Sequence, residues 1–233
     1  MRPAKLFALC ALSVSGNAFA TSFDSLDLFY TSAELKQSGR LSADSGDLQY
    51  QSKIDDLEGF GAKFRGSIAD DLFFAGEYQR ATAERIEATL TDPDSGTSQS
   101  GETDIDLDYT EWRLGLGVPF YRAHPATFYG VLEYLNLETE AEGTAVDPGT
   151  GQASGARSES KQDGAGAHLG VLFNPMRNLS LYGQLGYLRL DDLDGIEYLL
   201  GAAAQVHRYG GLFVEYRDSD LDGDDDQKAE LSP

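Results

Sequence analysis

Four segments of the chain share one pattern, a short alternating run that ends on a tyrosine: Leu72-Phe-Phe-Ala-Gly-Glu-Tyr78, Phe128-Tyr-Gly-Val-Leu-Glu-Tyr134, Leu181-Tyr-Gly-Gln-Leu-Gly-Tyr187 and Leu212-Phe-Val-Glu-Tyr216. Alternation with period two predicts a β-strand, and an apolar face that finishes on tyrosine predicts a boundary where the ring is buried and the hydroxyl stays wet. The separation is cleanest over residues 108–118. There Trp112, Leu114, Leu116 and Val118 share one face, opposed by Tyr109, Glu111, Arg113, Gly115 and Gly117, a division that a helical period would scramble. Phe60, Ala62, Phe64 and Ile68 likewise oppose Lys63, Arg65 and Ser67, and Ala167, Leu169, Val171 and Phe173 oppose Gly166, His168 and Gly170.

The same reading predicts nine strands, at about 26–35, 57–68, 72–81, 108–118, 127–137, 164–173, 179–190, 196–206 and 211–217. Their connections alternate in kind. Residues 36–56, 82–107 and 139–163 are long, acidic and rich in Gly and Ser, whereas 69–71, 174–178 and 207–210 are tight, with Asp70-Asp71, Asn174-Pro175 and Gly210-Gly211 supplying turn chemistry. Long loops on one side and short turns on the other predict an all-β fold, an up-and-down antiparallel transmembrane β-barrel with nine strands readable of an expected ten. A soluble sandwich or lipocalin-like barrel would show the same alternation. Two features favour the membrane. The polar face carries few charges and many Gly and Ala, so it reads as enclosed rather than solvated. Aromatic residues also gather at both ends of the apolar band: Tyr78, Trp112, Tyr134, Tyr187 and Tyr216 toward the long loops, Phe120, Tyr121, Phe128 and Phe173 toward the short turns.

The amino terminus changes the picture by supplying a route. Arg2 and Lys5 precede an apolar run over residues 6–14, and Ala18-Phe-Ala20 has the small-x-small form of a cleavage site, so residues 1–20 read as a signal peptide with Thr21 as the mature start. The run is well short of the roughly 20 residues that a spanning helix needs. Cys10, the only cysteine, falls within it, and the preceding Phe7-Ala-Leu9 lacks the small residue expected before a lipidated cysteine. The chain has 18 Lys and Arg against 39 Asp and Glu; losing Arg2 and Lys5 leaves a formal charge of −23. Such a surface repels polyanions, which excludes nucleic acid as a partner.

Trp112-Arg113-Leu114-Gly115-Leu116-Gly117, Gly59-Phe-Gly-Ala-Lys63 and Leu200-Gly-Ala-Ala-Ala-Gln-Val206 are similar to strands of small outer-membrane β-barrel proteins of Gram-negative bacteria, the OmpA-like and OmpX-like class. The chain resembles in particular a ten-stranded surface or biofilm-associated subgroup. The resemblance implies an outer-membrane location and delivery by the barrel assembly machinery, and brings no catalytic residue with it. It breaks at the carboxyl end, where such proteins close on an aromatic-ended strand and this chain runs through acidic residues to Ser232-Pro233. The expectation is therefore a barrel over residues 21–218 and a disordered acidic tail over 219–233. The chain would be a fragment lacking its last strand, showing an open gap or a parallel seam between residues 26–35 and 212–217. An odd-stranded barrel, or a strand hidden in residues 40–54, would also account for the count.

Chemistry is sparse in the sequence. His124, His168 and His207 have no spacing that joins them in a metal site, and there is no Gly-x-Ser-x-Gly elbow or cysteine nucleophile. His168 falls on the lumen face, where it reads as a plain polar residue rather than a catalytic base. No cofactor is expected. Asp218-x-Asp220-x-Asp222-Gly223 matches the first half of a calcium loop, but its twelfth position is Ala229. These three aspartates are weak metal candidates, and acidic loops near lipopolysaccharide phosphates could hold divalent cations loosely. Parity places Lys63, Glu77, Arg113 and Glu133 together in the lumen as a charged plug, with Lys63 opposite Glu77 across the tight turn. Three functions remain open: a non-enzymatic outer-membrane surface or structural protein with long acidic extracellular loops, a narrow passive pore, and an outer-membrane lipid-modifying enzyme. The expected partners are outer-membrane lipids and lipopolysaccharide.

Overall fold

The computed structural model describes residues 4–14, 25–43, 46–91, 98–146, 153–207 and 210–223. They form ten strands: β1 (Ala4–Val14), β2 (Ser25–Ala43), β3 (Gly46–Ala69), β4 (Leu72–Thr91), β5 (Ser98–Ala123), β6 (Ala126–Val146), β7 (Ala153–Met176), β8 (Leu179–Leu190), β9 (Leu193–His207) and β10 (Gly210–Gly223). Each strand pairs antiparallel with its neighbour in sequence, and β1 pairs with β10 to close the barrel. The alternation sets which way each side chain points. Outward-facing Phe60 and Leu132 are 73% and 70% exposed, whereas inward-facing Leu57 is fully buried. The outer surface is thus an apolar belt, with Tyr78, Tyr134 and Tyr187 exposed at its outer edge and Phe120, Tyr121, Phe128 and Phe173 at its inner edge.

All nine strands read from the sequence are present, but three of the connections differ from expectation. Residues 36–56, 82–107 and 139–163 are mostly not loops; they prolong β2 through β7 well beyond the belt. β3, β5 and β7 run to 24, 26 and 24 residues, where crossing the bilayer takes about 9–11. Polar composition resembled loop composition, yet cross-strand partners carry the ladders upward, as where Glu142 sits opposite Arg157 and pairs with it at 3.1 Å. Among the described residues no separate strand hides in 40–54: residues 40–43 belong to β2 and 46–54 to β3.

The closure differs too. In place of an open gap or a parallel seam, β1 lies between β2 and β10 and is antiparallel to both, with Ala4 opposite Ser219 and Val14 opposite Leu26. Two bare ladder edges in hydrocarbon would cost several kcal/mol for each unpaired backbone group, and a strand in that position satisfies both. β10 also runs further than expected. Residues 219–223 pair with β9 as strand rather than beginning a disordered tail, and residues 224–233 lie outside the described residues.

Residues 4–14 cannot be both a removed leader and a lasting barrel strand. N-terminal sequencing of the protein from outer-membrane fractions should begin at Thr21, which would confine β1's closing role to the precursor; a start at Met1 would make β1 a permanent strand.

Candidate functional site

The inner wall is layered. Toward the outer end, Ala33, Ile54, Leu57, Ala81, Ala83, Leu107 and Tyr109 pack as one apolar cluster, with Leu135, Leu188 and Leu190 beside it. Nearer the short turns, Phe29 meets Phe213, and Phe73 packs with Tyr129 and Val131. Between these layers lies a network of charges. The charges concentrate there, and polar side chains also enter the layer nearer the short turns, where Gln184 donates to Tyr129 at 2.9 Å and Arg65 lies 5.6 Å from the centre of the Tyr182 ring.

Register builds the network. Lys63, Glu77 and Arg113 are consecutive ladder partners on β3, β4 and β5, so their side chains share one level inside the barrel. Lys63 Nζ lies 3.3 Å from Glu77 Oε2, and Arg113 Nη1 donates to Glu133 Oε1 at 3.0 Å. The structure thus brings Lys63, Glu77, Arg113 and Glu133 into one connected cluster. The other half of it comes from across the barrel. Arg113 grips Glu197 with both terminal nitrogens, at 2.7 and 2.8 Å, and its Nε donates to Glu111. Arg217 donates to Glu77 at 2.7 Å and to Glu111 at 3.5 Å, while Lys63 pairs with Glu215. Parity could have placed Glu111, Glu197, Glu215 and Arg217 inside, but period two says nothing of which strands face each other across a lumen.

Five carboxylates therefore share Lys63, Arg113 and Arg217, and neutral donors take up lone pairs that remain. Gln79 donates to Glu111 at 2.7 Å, Tyr182 to Glu215 at 3.1 Å and Ser219 to Glu197 at 2.8 Å. Lys63 also lies 5.2 Å from the centre of the Phe29 ring. Each charge has a partner, as a charge withdrawn from water requires. The cavity among them is about 60 Å³, room for little more than one or two waters.

His168 is buried on the inner wall, its Nε2 3.0 Å from Glu133 Oε1. Glycine makes its place: a Cβ on Gly186 would stand 2.0 Å from His168 Nδ1. Glu133, His168 and Glu197 could each offer a ligand atom to one metal ion, all within 4.8 Å of one another. Arg113 already holds both carboxylates, so a metal would have to displace it. On the outer hairpins Glu138, Glu140 and Glu159 form a second acidic group, with Arg157 bonded to Glu140.

Asp218, Asp220 and Asp222 do not form a calcium loop. They lie in β10, paired with β9, where an extended backbone cannot wrap a cation. Asp218 accepts hydrogen bonds from Tyr198 and, at 3.2 Å, from Tyr216. The rim tyrosines are polar anchors in this way, as Tyr187 donates to Asp194; beside them Trp112 packs against Tyr134 with ring centres 5.2 Å apart and planes tilted by 48°. Beyond the belt, hydrogen bonds from Asn136 and Tyr134 hold the Asp163 carboxyl below its ordinary pKa. His124 and His207 stand apart from the network, near the short turns.

No family model and no curated protein matches the sequence. Solved structures do. Ail, the attachment invasion locus protein of Yersinia pestis, is 13% identical with a TM-score of 0.37, over 95% of this chain and all of that one. The beta domain of the Bordetella autotransporter BrkA is 12% identical with a TM-score of 0.43, over 94% of this chain and 98% of that one. The toluene transporter TbuX of Ralstonia pickettii is 9% identical with a TM-score of 0.32, over 94% and 89%. Likenesses this distant decide neither ligand nor activity; the closed ladder and the outward apolar belt with two aromatic edges carry the assignment. This chain is an outer-membrane β-barrel.

Arg113→Ala should destabilise the folded barrel by about 3–5 kcal/mol, because Glu197 would stay buried without the cation that grips it. Urea unfolding in lipid vesicles measures it. The double variant Arg113→Met with Glu197→Leu should recover part of that loss; no recovery would mean the pair is not a closed electrostatic unit. Gly186→Val should cost about 1–3 kcal/mol by driving a side chain into His168, read from the same unfolding midpoint.

Proposed function

We propose that this barrel is a non-enzymatic surface protein whose tall outer hairpins recognise a partner outside the cell, while its lumen serves only as a rigid support. The observation that carries this reading is the sheet above the belt. β2 has no described partner strand on its β1 side over residues 35–43, and β7 has none on its β8 side over residues 153–161, since those pairings end at Glu34 and Gly164 and only Gln162 and Asp163 reach on to Asp192 and Asp191. The second stretch alone is roughly 30 Å of strand at ordinary rise. A rigid, solvated sheet with free backbone donors and acceptors along its edges is suited to taking an extended segment from a partner.

The alternative of a passive pore has less support, because the charged network leaves a cavity of only about 60 Å³ among its side chains, with apolar clusters on either side. The enzyme alternative needs a nucleophile beside His168. The neighbour there is Glu133, and Ser180 donates its hydroxyl elsewhere, to Asn174. In this reading the leader delivers the chain to the barrel assembly machinery, lipopolysaccharide surrounds the belt, and hairpin carboxylates share divalent cations with it.

Protease treatment of intact cells should cut within residues 36–56, 82–107 and 139–163, and planar bilayers holding the purified barrel should show no stable conductance steps. Full protection of those hairpins until the outer membrane is ruptured would reverse the orientation. A steady ohmic channel would restore the pore.

A further inference from the structure

Inside each outer hairpin a glycine faces an aromatic ring. Phe29 of β2 is the ladder partner of Gly61 of β3, and in the same way Phe73 meets Gly117, Tyr129 meets Gly170 and Tyr182 meets Gly201. In all four pairs a Cβ on the glycine would run into the ring, so the ring takes the space that a side chain would need. The rings come from strands that run toward the tall hairpins, the glycines from strands that return. Phe213 of β10 is the fifth ring of the series, and on its returning side β1 places Ala11 where the other hairpins have glycine. Phe29 flanks the same rung from β2, and the two ring centres stand 6.5 Å apart. Both ladders of β1 also shift register between Ala8 and Ala11, whereas the other four are unbroken at their glycines. Two buried polar atoms beside β1 are left over: Thr31 Oγ1 and Arg217 Nε have no hydrogen-bond partner among the described residues. Thr31 shares its rung with Ala8, and Arg217 shares its rung with Leu6. β1 thus closes the backbone ladders but misses the pattern at three successive inward rungs.

We propose that β1 holds this seat only until residues 1–20 are removed, and that the processed barrel takes there a strand donated by a separate polypeptide. An empty seat would leave two ladder edges in hydrocarbon. The rungs set the donor's chemistry. Running antiparallel to β2 and β10, it carries a side-chain amide level with Arg217, serine or threonine two residues on, level with Thr31, and glycine two further on, between Phe29 and Phe213. The amide oxygen can accept from Arg217 Nε and brings no further charge into the network. Between these positions the donor is apolar, because its outward neighbours Leu28, Leu212 and Val214 face lipid. Strands already in place follow the same spacing, with a charged residue four before the glycine: Arg113-x-Gly115-x-Gly117 on β5 and Glu197-x-Leu199-x-Gly201 on β9. A second copy of the chain does not fit. Its open edges would again be β2 and β10, which run in one direction, so in a shared membrane they would meet the seat in parallel, and the seat is antiparallel on both sides. Residues 224–233 contain no glycine and do not match the pattern either.

The test refolds the protein processed at Thr21 into lipid vesicles with a fluorescent peptide of about 11 residues carrying this pattern. Peptide that floats with the vesicles and the heat-modifiable fraction on gels are the readouts. The glycine peptide should raise the heat-modifiable fraction and bind about tenfold more tightly than the same peptide with leucine at the glycine position, whose side chain would be forced between two rings. Leucine in place of the amide should weaken binding as well. Phe213→Ala should restore the peptide that has leucine for glycine, by clearing its space; Phe29→Ala is the second variant for that purpose. Equal binding of the glycine and leucine peptides would overturn the site, as would failure of every peptide to yield folded barrel. A processed chain that is already fully heat-modifiable and takes up no peptide would mean that the seam closes from within the same chain, and the donor falls. Outer-membrane protein whose sequence begins at Met1 would leave β1 in the seat, with the same consequence.

Discussion

Everything in this barrel follows from the absence of water around its wall. In hydrocarbon a backbone amide or carbonyl has no solvent to bond, so each strand must be paired on both sides and the sheet must close on itself. Ten antiparallel ladders meet that requirement, and the position of β1 between β2 and β10 shows how strongly it acts: the seat between the first and last membrane strands is filled by whatever segment can pair with both edges. Above the belt the constraint lapses. There β2 and β7 can each leave one edge without a described neighbouring strand.

Closure creates an interior, and the interior has its own electrostatic problem. Five glutamates point into a space that holds little water, and they are tolerable there only because Lys63, Arg113 and Arg217 reach more than one of them each. Arginine suits this task, since its planar fork can bind Glu197 with two parallel bonds while Nε serves Glu111. Apolar clusters lie above and below the network, and the network ties β3, β4 and β5 to β9 and β10 across the lumen.

The outer face answers to a different solvent. Its leucines and phenylalanines meet lipid tails, and its rim tyrosines fix their hydroxyls on neighbouring carboxylates, as Tyr187 does on Asp194 and Tyr198 on Asp218. Those carboxylates are thereby turned toward protein partners.

The alternation of apolar and polar residues by itself determined the strand type, the nine strands across the membrane and the inward or outward side of residues such as Arg113, Leu114 and Tyr187, because period two is a local property of an extended backbone. Lys63 and Glu77 could be placed opposite each other because a tight turn joins their strands and fixes the register. The hairpin extensions were misread as loops, since acidic, Gly-rich strands above a membrane look like linkers until their cross-strand partners are known. The aspartates of β10 looked like half of a calcium loop for a similar reason: spacing by two suits both a ligand loop and a strand. Only the tertiary structure decided that Arg113 meets Glu197 and Arg217 meets Glu77, that apolar clusters lie on either side of the charged network, and that the wall is hollowed over Gly130 and Ala167. These depend on how a closed sheet curves and which strands face each other across its interior, and no local pattern encodes that curvature.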